Sequence, residues 1–252
     1  MKKVSVITVV YNAAGSVERT LKSVLSQDFD NFEYIIIDGG SKDGTLDVIG
    51  KYRTKIDLII SEKDRGVYDA MNKGIQKANG EWIVFMNAGD TFAEDKTLST
   101  IFSSESDYSS DSVIYGDTIN CHGDHFVTVK ARNISLLDYR MPFCHQSTYV
   151  RTSLVKEKGF DLTYRYAADY ELFHRLYDAG HHFAYLPQNL SIYYLEGGLT
   201  SQNIIKLYKE ESSISGKRDL HWLLYGFHVY FSAFVHRVVP SRFILLLKNK
   251  ND

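Results

Sequence analysis

Hydrophobic and polar positions alternate between two periods along the first ninety residues. Residues 4–10 (VSVITVV) and 32–37 (FEYIII) are rich in β-branched and aromatic side chains with little polar interruption, which suits strands buried on both faces. Between them Val17, Leu21, Val24 and Leu25 recur at helical spacing and predict a helix over 15–27. The exchange then repeats: a short helix over 46–52, a strand over 56–60, a helix over 67–78 through Val67, Ala70, Met71, Gly74, Ile75 and Ala78, and a fourth strand over 82–86. Strands alternating with helices build βαβ units, so the expected fold class is α/β, a Rossmann-type, mostly parallel sheet flanked by helices. After residue 90 the pattern loosens, with strands expected near 112–115 and 126–129 and a helix near 169–179.

The pattern changes again near the carboxyl end. Residues 220–236 contain no Asp, Glu, Lys or Arg but include Trp222, Tyr225, Phe227, Tyr230, Phe231 and Phe234. Three histidines, a glycine and a serine interrupt this run, which falls short of the roughly 20 apolar residues of a bilayer span. With Lys217, Arg218, Arg237, Arg242, Lys248 and Lys250 on its flanks, it suits helices lying on an anionic membrane surface. Packing on the rest of the chain, or against a second copy, answers the same pattern. The expected division is a main domain over 1–200 and a helical, basic-aromatic appendage over 201–252.

Charge sharpens that division. Residues 201–252 carry eight Lys and Arg against four Asp and Glu, whereas the first 200 carry 21 against 27. An acidic body lacks the basic face that nucleic-acid binding requires. Cys121 and Cys144 have no metal-ligand spacing around them, so neither a zinc site nor a disulfide framework is expected. The first apolar run ends at Tyr11-Asn12 without a small-residue cleavage site and reads as a strand, not a secretory signal. The expectation is a cytoplasmic protein, at the inner face of the cytoplasmic membrane where the tail meets lipid.

Three polar turns follow strand-like runs, and carboxylates at the carboxyl ends of parallel strands face the crevice where open α/β sheets bind ligands. In the first, Asp38-Gly39-Gly40-Ser41-Lys42-Asp43-Gly44-Thr45, Asp38 can accept from the edge of a base or from ribose hydroxyls, while Ser41 and Asp43 suit the start of the next helix. In the second, Asp64 can serve a ribose or base and Arg65 a phosphate, or Asp64 and Asp69 can favour a helix N-terminus. The third, Asn87-Ala88-Gly89-Asp90, can offer a carboxylate to a cation that neutralises a diphosphate, or can be a plain polar turn.

In order and spacing these pieces resemble the inverting glycosyltransferases of family 2, which have the GT-A fold, over roughly residues 2–200. SVITVVYN is similar to the family's first strand, IIIDGGSKDGT to its second strand and base-binding Asp, SEKDRGVYDAMNKGI to its third strand and following helix, and NAGD to its metal-motif turn. The resemblance implies a nucleotide pocket at Tyr11, Asn12, Asp38, Asp64 and Arg65, and a divalent metal, Mg or Mn, at Asp90. Asn87 and Gly89 stand where the family commonly has carboxylates, which leaves Asp90 the one acid of the turn. Asp169, in AADYELFHRL, matches the position of the catalytic base and can equally open a helix. His145 and Gln146, with Asn87, are candidates for donor or acceptor binding, against a reading in which they satisfy a buried loop. Glu196-Gly197-Gly198-Leu199-Thr200 resembles a loop near the family's active site.

The expected activity is transfer of a hexosyl or N-acetylhexosaminyl group from a nucleotide-sugar donor, UDP-linked, to a hydroxyl of a saccharide or lipid-linked saccharide, as in capsule, exopolysaccharide or O-antigen synthesis. Two other classes stay open: a nucleotidyltransferase, whose basic phosphate loop VVYNAAGS lacks, and a catalytically weak sugar-nucleotide binder in an assembly.

Overall fold

The computed structural model describes residues 2–103, 106–195 and 203–238. Four strands make the parallel part of the sheet: β1 (Val4–Val10), β2 (Phe32–Asp38), β3 (Leu58–Ser61) and β4 (Trp82–Phe85). They stand in the order β3-β2-β1-β4, joined by α1 (Val17–Leu25), α2 (Thr45–Gly50) and α3 (Val67–Lys77). These elements are the ones the apolar spacing predicts, to within two residues at most of their ends.

The strands form because both faces are covered. Ile7, Val9, Ile35, Ile37, Ile83 and Phe85 point to one side, where Ala70, Met71 and Ile75 of α3 pack. Val4, Val6, Val10, Tyr34, Ile36, Trp82 and Val84 point to the other, against Val17, Leu21 and Val24 of α1 and Ile49 of α2. A Cβ on Gly74 would come 2.6 Å from Ile7 Cγ2, so α3 sits on β1 only because that position has no side chain.

The second half of the sheet is mixed. It contains β5 (Thr91–Phe92), β6 (Val113–His122), β7 (His125–Val129), β8 (Thr148–Arg151) and β9 (Phe183–Tyr194), with α4 (Thr97–Ile101), α5 (Thr152–Glu157) and α6 (Ala168–Asp178) between them. Beyond β4 the order is β8-β6-β9-β5; β6 runs parallel to β9 and antiparallel to β8, and β7 folds back on β6. Three of these strands, β5, β8 and β9, escape the apolar pattern, and β6 runs ten residues where four are expected. The reason is buried polarity. Thr118, Ser147 and Ser191 are linked through their hydroxyls at 2.7 Å, and Asp117 takes hydrogen bonds from Ala131 N and the Tyr185 hydroxyl. The β6–β9 register shifts around Asp117 opposite Pro187-Gln188, the bulge that lets a proline sit inside a strand.

The chain continues into α7 (Ile204–Ser215), which packs on α6, and α8 (Leu220–Val238), which packs on α7. Leu220, Leu223, Leu224, Phe227, Phe231 and Phe234 recur at helical spacing along α8 and are exposed. Residues 196–200 and the cations Arg242, Lys248 and Lys250 lie outside the described residues.

Candidate active site

Parallel register brings the strand-end turns together. Val10 pairs with Asp38, and Asp38 with Ser61, so the loops after β1, β2 and β3 emerge side by side. The first two are sewn to each other: Asn12 N donates to Ser41 Oγ, Asn12 Oδ1 accepts from Lys42 N, Ala13 N donates to Thr45 Oγ1 and Ala14 N to Asp43 Oδ2. Asn12 takes the left-handed conformation, φ 47°, which asparagine tolerates better than most residues.

Asp38 is fully buried. Its carboxylate accepts from Gly40 N, Ser41 N, Ser41 Oγ and Ser61 Oγ, so any contact with a base needs those hydroxyls to turn away. Beside it, the Asp64 carboxylate lies directly over Gly39, where a Cβ would collide with it, and the Tyr11 ring, 65% exposed, borders the same position. Tyr11, Asn12, Asp38 and Asp64 therefore form one cluster. Arg65 stands apart from it, exposed and paired with Asp69 at 2.9 Å.

The remaining candidates share a cleft of about 480 Å³ beyond the ends of β4 and β9. Asn87 and Asp90 enter from the turn after β4, Arg19 from α1, and Tyr194 from the end of β9. Asp90 is 5% exposed; Gln146 Nε2 donates to one oxygen at 2.8 Å and Tyr194 N to the other at 3.0 Å. Burial pushes its carboxyl up to about 6 against those two hydrogen bonds and the Arg19 charge. Gln146 is held in turn by the Cys144 thiol, so its amide is engaged at both ends and braces Asp90. The Arg19 guanidinium lies over the Tyr194 ring at 3.8 Å, and no acidic side chain pairs with it among the described residues.

Asp169 lies in the first turn of α6, with Oδ1 accepting from the Tyr68 hydroxyl of α3 at 3.0 Å. His145 stacks on Phe85, its Nε2 buried without a partner; burial pulls its pKa down, opposed by the Asp169 charge, so the imidazole is held neutral. The start of α6 has no cap of its own. Glu210 of α7 instead braces the segment leading into it, accepting from Arg165 N, Tyr166 N and Ala167 N at 2.7–3.1 Å. The next residue, Glu211, lines the cleft itself.

Among the described residues no group of three or more His, Cys, Asp or Glu could hold a metal ion. Asn87 and Asp90 still suit a hard cation in part. Asn87 Oδ1 is buried without a hydrogen-bond partner, and an amide oxygen with one carboxylate fits an ion that takes its other ligands from phosphate and water.

Motif reading missed Arg19, Tyr68, Tyr194 and Glu211. Tyr68 sits inside a segment singled out for its charged residues, and Arg19 lies three residues after Ser16, a helical turn that brings both to the cleft. Nothing in the local sequence marks Glu211.

Known structures share this sheet. S. aureus TarS (residues 1–349) in complex with UDP-GlcNAc superposes with a TM-score of 0.69 at 19% identity, over 95% of this chain and 77% of that one. Mannosyltransferase PcManGT from Pyrobaculum calidifontis, in complex with GDP-Man and Mn2+, gives 0.65 at 17% identity, over 99% and 79%. The fold is thus of the GT-A class. The model of the family described as glycosyl transferase family 2 matches residues 5–158, and the chain belongs to that family. A PGL/p-HBAD biosynthesis glycosyltransferase of Mycobacterium bovis (strain BCG / Pasteur 1173P2) is 32% identical over 171 residues. The match covers 66% of each protein, so the chain spans about two thirds of that relative's length.

Two outcomes follow from the buried carboxylates. Replacing Asp38 by Ala strips an acceptor from four donors and is expected to lower unfolding free energy by about 1.5–3 kcal/mol, the scale for hydrogen bonds to a charged group. An unchanged urea midpoint would mean that the turn does not depend on the carboxylate. For Asp90 the folded state holds a proton that the unfolded chain releases near 3.8, so its contribution to stability is full below that value and is lost as pH rises through about 6. Asp90→Asn should therefore gain thermal stability relative to the parent between about pH 4 and 7. A difference in Tm that stays constant with pH in calorimetry would contradict the burial.

Proposed function

We propose that this chain is an inverting glycosyltransferase that moves a hexosyl or N-acetylhexosaminyl group from a UDP-linked donor to a hydroxyl of a saccharide. The observation that carries the reading is Asp169, held by the Tyr68 hydroxyl in a cleft whose other wall offers Arg19, Asn87 and Asp90. TarS bound to UDP-GlcNAc supports the choice of donor.

In this reading the nucleoside lies over Gly39 between Tyr11 and Asp64, with the loop built by Asn12 and Asp38 beneath it. The diphosphate points along α1 to Arg19. Asn87 Oδ1 and Asp90 would hold Mg or Mn, which supplies positive charge to the leaving diphosphate. The acceptor hydroxyl gives its proton to the Asp169 carboxylate as its oxygen bonds to the anomeric carbon. The bond from that carbon to the phosphate oxygen breaks on the opposite face, and the diphosphate leaves with the electron pair. Tyr68 fixes the orientation of the base.

Residues 1–200 make the catalytic domain in this reading, and 201–252 carry the surface for a lipid-linked acceptor. No helix among the described residues is long and apolar enough to cross a membrane. The exposed stripe of α8, behind Lys217 and Arg218, instead suits a helix lying at the inner face of the cytoplasmic membrane.

Asp169→Asn should lower turnover of UDP-glucose or UDP-N-acetylglucosamine by about 10²–10⁴-fold with little change in UDP affinity. Near-normal turnover would move the base elsewhere. Formation of UTP and sugar 1-phosphate when pyrophosphate is added to the UDP-sugar, in place of UDP release, would make the protein a nucleotidyltransferase, and binding without release would make it an assembly protein. For the tail, the intact protein should co-sediment with phosphatidylglycerol vesicles at low salt and be partly freed at high salt. Phe227→Glu combined with Phe231→Glu should leave it in the supernatant. Equal sedimentation of parent and variant would make the stripe a protein contact.

A further inference from the structure

A third carboxyl group lies in the cleft, on a helix that neither the strand-end motifs nor the family match includes. Glu211 is 4% exposed and lines the cleft with Leu207, one turn earlier on α7. A carboxyl group so buried persists only where partners offset its desolvation. The Tyr225 hydroxyl of α8 donates to Glu211 Oε2 at 2.8 Å. An ionised carboxylate has about four acceptor positions, so this pairing leaves capacity in a side chain that borders open space.

The charges around it decide what could use that capacity. Facing Glu211 are Asp169 and Tyr170 from α6, Tyr225 from α8, and Arg140 with the Met141 amide from the segment before His145. The Arg140 guanidinium is stacked on the Tyr225 ring at 4.6 Å. The larger charge effect on Glu211 thus comes from another carboxylate on the same wall, with Arg140 offsetting it in part. Two acceptor-only groups on one side repel a phosphate or carboxylate and favour a ligand rich in donors. Arg19, on the other side, has the opposite preference.

We propose that Glu211, oriented by Tyr225, binds hydroxyl groups of the acceptor saccharide beside Asp169, so that α7 and α8 complete the acceptor half of the cleft. This rests on the glycosyltransferase reading above. The portion of acceptor seated there is a neutral polyol, and any phosphate or lipid it carries lies further out. Burial pushes the Glu211 carboxyl up to about 7, so its strength as an acceptor grows as pH rises through that value.

The test uses the full chain, UDP-hexose donors and a panel of octyl β-glycosides as acceptor probes. Glu211→Gln keeps the shape and removes the charge; it should raise the KM for the best glycoside by roughly 10- to 100-fold, the equivalent of one charge-assisted hydrogen bond. UDP affinity should stay within about twofold, since the nucleotide lies elsewhere. Tyr225→Phe should shift the acceptor KM the same way but less. In the parent, acceptor KM should fall as pH rises through about 7, and this limb should be absent from Glu211→Gln. An unchanged acceptor KM in the folded Gln variant overturns the proposal, as does an equal loss of UDP affinity. Nucleotide release that no glycoside accelerates in the parent also overturns it. If the parent turns over no nucleotide sugar at all, the glycosyltransferase reading falls and this proposal with it, an outcome distinct from the others.

Discussion

The in-register pairing of β1, β2, β3 and β4 is the constraint from which the cleft follows. Each strand is mainly apolar because helices cover both faces; Ser5, Thr8 and Glu33 are buried inside them in hydrogen bonds, and the polar turns come where the strands end. Parallel pairing puts those ends on one edge. Val10, Asp38 and Ser61 are consecutive partners across three strands, and β4, in register with β1, delivers Asn87 and Asp90 just beyond the same edge. A shift of one residue in any of these pairs would turn the buried side chains to the wrong face, so the placement of the polar turns is tied to the packing of the core.

Four carboxyl groups, two at that edge and two on the helices facing it, are held in three different ways. Asp38 is saturated by its own turn and by Ser61, which makes it the organiser of a loop. Asp90 is braced by a glutamine amide and a main-chain N–H. Asp169 has a tyrosine hydroxyl, and Glu211 has another, donated from the last described helix. The neutral donors that hold Asp90, Asp169 and Glu211 orient each group without cancelling its charge, as a guanidinium would, and that leaves each available to a ligand.

The apolar period made the parallel half legible nearly residue by residue, because its strands are uninterrupted and its helices are amphipathic. The other half was opaque for a physical reason. β6, β8 and β9 bury threonine, serine and aspartate that satisfy one another across strands, so the residues inside look like the residues of a loop. Pro187 hides β9 further by occupying a bulge. At the site, Asp90, His145, Gln146 and Asp169 were nameable from local motifs and do share one cleft, whereas Arg65 lies outside that cleft, exposed and paired with Asp69. Arg19, Tyr68 and Glu211 reach the cleft through long-range packing, which a linear motif does not encode.

The brace that Glu210 places on the segment leading into α6 links the order of synthesis to competence. A nascent chain that has emerged as far as residue 195 already has every strand of the sheet, with Asp169 near its final position, yet the amides of Arg165, Tyr166 and Ala167 still lack the carboxylate that will accept from them. Domains fold as units during synthesis, so the sheet can settle before the helix that finishes the cleft is available. The last-made part of the described chain therefore acts as a latch on the segment that leads into α6 and Asp169.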